Sequence, residues 1–130
     1  MSNFPSTEVT CILPVKDMAR ARQFYEQSLG LQAVGSKPDG KFVFRCGGTE
    51  IALFFKPEGT QAQHTALSFR VGDITEAVAQ LKWQGVTFAD YDFPGLKTIG
   101  HVGVLGSGKA AWFEDTEGNI LCLHEDIDES

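Results

Sequence analysis

Basic residues are scarce and scattered in this chain. Lys and Arg number 11 against 17 Asp and Glu, a formal net charge of −6. With no cationic cluster, nucleic acid and anionic membrane are poor partners. No apolar run approaches the ~20 residues that a bilayer-spanning helix needs. Met1-Ser2-Asn3-Phe4-Pro5 lacks the basic-then-apolar order of a secretory signal. Cysteine is sparse too. Cys11, Cys46 and Cys122 contain no Cys-x-x-Cys spacing and cannot all pair, so a reduced, cytoplasmic setting is expected. The acidic tail from Glu125 to Ser130 reads as a solvated end rather than a docking motif.

What the chain does have is the composition of a globular domain, 42% hydrophobic and 22% charged with 10 Phe over 130 residues, enough for one real core. It also has an internal repeat. Val15-Lys16-Asp17-Met18 leads to Leu29-Gly30-Leu31, and half the chain later Val71-Gly72-Asp73-Ile74 leads to Gln84-Gly85-Val86. In each, a strand-forming run meets an Asp suited to helix N-capping, an amphipathic helix follows, and Gly stops it. One supersecondary unit is used twice.

Strands are expected at Val9–Val15, Leu31–Gly35, Lys41–Cys46 and Glu50–Phe55, with hairpin signals at Pro38-Asp39-Gly40 and Gly47-Gly48-Thr49. Met18, Ala21, Phe24, Tyr25, Ser28 and Leu29 form the inward stripe of the first helix; Ile74, Val78 and Leu81 form that of the second. Residues 57–63 read as a linker. His64–Val71 begins the second module, Asp73 with Glu76 resembles a capping box, and Val86–Tyr91 opens a further run of strands. Asp92 to Thr98 reads as irregular. His101–Leu105, Lys109–Glu114 and Asn119–Glu125 close the chain, with a turn at Asp115 to Asn119. The expectation is one α+β domain of two βαβββ modules, about 9–56 and 64–125, curving around a central cavity that takes a small molecule.

The phrase Phe24-Tyr25-x-x-x-Leu29-Gly30-Leu31 after Val-x-Asp, the second Val71-x-Asp73-Ile74, and Phe113-Glu114-Asp115-Thr116-Glu117-Gly118-Asn119 together resemble the vicinal oxygen chelate superfamily. That group takes in glyoxalase I, extradiol dioxygenases and the fosfomycin- and bleomycin-resistance proteins. Thr116 stands where the family commonly has Pro. The resemblance runs from about Val9 to His124 and implies a divalent metal held by His, Glu or Gln on the first and last strands of each module. Counted from the motifs, those positions here hold Thr10, Ala52, Ala66 and Cys122. Alanine has no donor and Thr is a weak neutral one, so no metal and no other cofactor is expected.

Other readings stay open at this point. A first strand in module two that is extended or bulged would bring His64 to the third ligand position, and with Cys122 and His124 it could surround zinc or iron; otherwise His64 sits at a rim and His124 at a frayed end. Cys122 as a nucleophile lacks a neighbouring base in the sequence. Phe42, Phe44, Phe54 and Trp112 either pack in the core or line the cavity, and Phe69 and Phe113 pose the same choice. Tyr91 to Gly108 is either a binding loop, with Asp90, Asp92, Lys97 and His101 at the cavity mouth, or a plain surface or interface segment. Three functions follow: a metal-independent binding protein, similar to those that sequester antibiotics; a glyoxalase-type lyase, isomerase or dioxygenase; and an interaction module with a filled cavity, against which Ala52 and Ala66 count. The resemblance also implies a homodimer.

Overall fold

The computed structural model describes residues 4–106 and 108–126; of the acidic tail, residues 127–130 lie outside these. The chain divides into two compact units at Thr60 and Gln61. After a short 3-10 turn at Phe4–Ser6, the first unit runs β1 (Thr10–Val15), α1 (Met18–Gln23), a π turn (Phe24–Ser28), β2 (Gln32–Ser36), β3 (Phe42–Cys46) and β4 (Thr49–Phe55). Its four strands lie in the order β1-β4-β3-β2, with β1 parallel to β4.

The second unit runs β5 (Thr65–Arg70), α2 (Ile74–Trp83), β6 (Asp92–Phe93), β7 (Leu96–Ile99), β8 (Val102–Leu105), β9 (Gly108–Glu114) and β10 (Ile120–Asp126). Its sheet order is β5-β10-β9-β8-β7-β6. Both units thus repeat β-α-β-β-β, the second with an added hairpin. Among the described residues no helix is long and apolar enough to cross a membrane.

The aspartates read as caps do cap. The Asp17 carboxylate accepts from the Arg20 N–H at 3.0 Å, and that of Asp73 from the Glu76 N–H at 3.1 Å. Helix α2 has a second anchor that the local sequence does not show, because the Glu125 carboxylate on β10 accepts from the Ile74 N–H at 2.8 Å. Each contact satisfies an N–H that the helix leaves orphaned and places negative charge at the positive end of its dipole. Replacing Asp73 by alanine should therefore lower stability by about 1 kcal/mol, read as a lower urea midpoint with unchanged slope. The remote Glu125 anchor should keep the helix formed.

Each sheet has a face toward its own helix. In the first unit, Leu13, Val15, Ile51, Leu53 and Phe44 are buried there, and Tyr25 packs against Phe44 at 5.9 Å between ring centres. In the second, Leu121, Leu123, Ala111 and Phe113 are buried, and Phe88 meets Phe113 at 5.2 Å.

One expectation is corrected. Asp92 to Thr98 is a hairpin rather than an irregular stretch, with Asp92 opposite Lys97 and Phe93 opposite Leu96. Ile99 pairs with Val102 around a two-residue turn at Gly100 and His101, whose φ angles of 59° and 72° both lie in the left-handed region. That is the pattern of a type I′ turn, whose twist suits a hairpin, and His is among the few residues other than Gly that tolerate it.

Candidate functional site

The sheet face turned away from each helix carries the remaining polar and aromatic side chains, and register decides which they are. In the first unit the turn at Gly47 and Gly48 sets Cys46 opposite Thr49. Val43 then falls opposite Ala52, and Phe42 and Phe44 fall opposite Leu53 and Ile51. Directly opposed residues share a face, so Ala52 and Phe54 lie with Val43, Thr10 and Ile12 on the outer face. Phe42 and Phe44 lie on the helix side. There the Arg22 guanidinium sits 3.8 Å over the Phe42 ring, and Phe44 is fully buried. Both are core residues and leave the candidate set.

Thr10 is exposed and stands opposite Glu50, while Ala52 stands opposite Ile12. Glu50, a carboxylate that the motif count passed over, lies on this face. The Arg45 guanidinium holds it at 3.2 Å.

In the second unit β5 runs parallel to β10 with an irregularity that leaves Ala66 unpaired: Thr65 lies opposite Ile120 and Leu67 opposite Leu121. His64 lies outside β5, exposed. Beyond the irregularity, Ser68 is opposite Cys122, which in turn is opposite Trp112. These three form one row on the outer face. The Trp112 indole N–H donates to Thr65 Oγ1 at 3.2 Å, laying the ring across β10. Tyr91 stands edge-on against Trp112 at 5.5 Å. Ser68 Oγ lies 2.5 Å from His124 Nδ1.

Cys122 is buried, and its thiol donates to the Leu123 carbonyl at 3.2 Å. Burial pushes the thiol up, against the opposing pull of hydrogen bonds from Ser68 and the Ala111 backbone. The group is a buried wall element without the electropositive neighbour that activates a thiol. Thr65 and Ser68 went unnoticed in the sequence, since nothing in a single strand tells which residues a parallel neighbour brings alongside.

His101 falls on the other side of this sheet. Its ring lies 6.0 Å from Phe88, its Nδ1 is 3.1 Å from Asp90 Oδ1, and its Nε2 is 3.2 Å from Lys82 Nζ on α2. The ammonium offers only donors, so Nε2 accepts and Nδ1–H donates to Asp90. His101 ties the β7–β8 turn to the helix and is separated from the Trp112 row.

Fit to a metal can be tested on donor chemistry. Ala52 and Ala66 offer nothing, Thr10 is a weak neutral oxygen, and Cys122 is a single buried thiol. Among the described residues no three His, Cys, Asp or Glu side chains gather as a metal site. The four positions do not fit the divalent ion that the resemblance implies.

Comparison with known proteins agrees with the βαβββ repeat. The chain is similar in fold to an antibiotic-binding protein from a Streptomyces species, at 21% identity over 93% of this chain and 96% of that one, with a TM-score of 0.67. It is likewise similar to a lactoylglutathione lyase from Agrobacterium tumefaciens, at 20% identity over 93% and 94% with a TM-score of 0.67. A glyoxalase/bleomycin resistance protein/dioxygenase from Nocardioides matches at 16% identity over 100% of this chain and 88% of that one, with a TM-score of 0.68. No curated protein matches the chain. The family model described as Glyoxalase/Bleomycin resistance protein/Dioxygenase superfamily matches residues 8–123. On that match, the chain belongs to the glyoxalase/bleomycin resistance protein/dioxygenase superfamily.

Proposed function

We propose that this protein is a metal-independent, cytoplasmic, homodimeric binder of small apolar or aromatic molecules. The observation that carries the reading is the donor set. Where the resemblance calls for metal ligands, the chain has Thr10, Ala52, Ala66 and a Cys122 whose thiol burial pushes up. Ala52 and Ala66 put small apolar side chains where a ligand donor would stand. Trp112, Tyr91 and Phe93 form a chain of edge-on rings, at 5.5 and 5.9 Å between centres. Aromatic walls with a few polar groups suit a planar organic guest. The antibiotic-binding protein from Streptomyces, similar in fold, is in keeping with this.

Elemental analysis of untagged protein, with melting temperature followed in Mn, Fe, Ni, Zn and EDTA, tests the metal half. A metal at a hundred times its Kd would add about 2.7 kcal/mol; no bound metal and no shift are expected. One metal per chain, lost in His64→Ala, would sink the proposal in favour of a metal-dependent lyase or dioxygenase. The binding half is read in a Trp83→Phe background, which removes an almost fully exposed indole and leaves Trp112 as the reporter. Aromatic compounds should quench its emission saturably.

A further inference from the structure

The second unit sets a hydroxyl against an imidazole on its outer face. Ser68 Oγ and His124 Nδ1 are 2.5 Å apart. They come from adjacent parallel strands, two residues apart in register and so on one face, with Ser68 opposite Cys122 and His124 opposite Arg70. Side chains held on paired strands keep their geometry better than side chains on loops. Ser68 is exposed and His124 half-buried, so the hydroxyl is reachable. The neighbouring Cys122 is buried, so it is not the reachable nucleophile, although its thiol also lies within hydrogen-bond reach of Ser68. Trp112 completes the row beyond Cys122 and offers a flat apolar surface on the same face.

We infer that Ser68 and His124 form a nucleophile and general-base pair that takes the acyl group of activated aryl esters. A hydroxyl within hydrogen-bond reach of an imidazole nitrogen is the basic requirement for such chemistry. Ser68 Oγ bonds to the ester carbonyl carbon while its proton passes to His124 Nδ1. The tetrahedral adduct collapses, the bond to the aryl oxygen breaks, and the imidazolium returns the proton to the departing aryloxide. Water then attacks the acyl-serine, giving its proton to His124 Nδ1, and Ser68 leaves with that proton as the carboxylic acid departs. Ester and water are the only reactants. Seating the aryl group on Trp112 rests on the binding reading above; the acyl transfer does not.

The test uses the full chain and p-nitrophenyl acetate, following nitrophenol release and intact mass. Release of nitrophenol is expected, with up to one acetyl group per chain mapped to Ser68 when the reaction is stopped by acid before water removes it. Ser68→Ala should abolish it. His124→Gln, which keeps an oxygen acceptor for the hydroxyl but cannot shuttle the proton, should slow it about 100-fold. Melting curves of both variants check that they are folded. Acetyl on Cys122 or a lysine, or Ser68→Ala reacting as fast as the parent, overturns the assignment. So does a His124→Gln variant that is folded and unimpaired. Saturable quenching of Trp112 by p-nitrophenol without acetylation removes the catalytic pair and leaves the binding reading standing. Acetylation without quenching does the reverse.

Discussion

Truncating Phe44 to alanine is expected to cost about 3–5 kcal/mol of folding free energy. The side chain is fully buried and meets Tyr25 at 5.9 Å and Phe42 at 5.0 Å between ring centres. Alanine would forfeit the transfer energy of the ring, its edge contacts, and the energy of the cavity left behind. The strand pair and helix around it are tied by hydrogen bonds and cannot collapse fully into the gap. Total stabilities lie at about 5–15 kcal/mol, so a third or more could go, with a fall in melting temperature of about 3–5 °C per kcal/mol. Phe54→Ala makes the contrast. Phe54 is half-buried on the outer face and should cost about half as much or less, while weakening any ligand that sits there. Urea melts of the two variants decide it. Near-equal losses would mean that the face assignment of β3 is wrong.

That assignment was available in the sequence and went unread. A two-residue loop at Gly47 and Gly48 fixes Cys46 opposite Thr49, and counting back puts Val43 beside Ala52. The Arg45 and Glu50 pair, held at 3.2 Å, is the cross-strand charge match that the same count predicts. Alternation alone says that Phe42 and Phe44 share a face, but not which one. The capping aspartates were legible for a simpler reason. Their signal is local, carried by a polar residue, a helical stripe and a terminating Gly within one stretch of chain.

Elsewhere the signal is not local. The register of parallel strands is set by packing across many intervening residues, and the irregularity at Ala66 shifts it without a mark in the sequence. Ser68 and His124, 2.5 Å apart, could not be paired by counting. The β6 and β7 strands were hidden by their shortness and by glycines that read as loop. Leu96-Lys97-Thr98-Ile99 does alternate, with Leu96 and Thr98 half-buried and Lys97 and Ile99 exposed. Four residues are too few to outweigh flanking turn signals.

Asp115 should prove about as costly to remove as Phe44, for polar rather than apolar reasons. It opens the turn between β9 and β10 and is buried with Asn119. Its Oδ1 accepts from the backbone N–H groups of Glu117 and Asn119, both at 2.8 Å. Its Oδ2 accepts from the Asn119 side-chain amide at 2.8 Å. Alanine would leave two buried backbone donors and one amide without this carboxylate, each worth about 1–3 kcal/mol when unsatisfied. Partial rearrangement and water reduce the sum, so a loss of about 3–5 kcal/mol is expected. Asp115→Asn separates shape from chemistry. Its oxygen can still serve the two backbone donors, but its amide then faces the amide of Asn119. Adding Asn119→Asp restores a donor against an acceptor, and the double variant should recover part of what Asp115→Asn loses. A double variant no more stable than Asp115→Asn would show that the amide contact contributes little. The turn matters to the candidate site as well. It sets β10 against β9 so that Cys122 meets Trp112 and His124 meets Ala110, and a slip of one residue would turn Ser68's partner toward α2. Asp115→Ala should therefore lose acetylation of Ser68 under conditions where most of the chain is still folded, because the register would loosen before the sheet is lost.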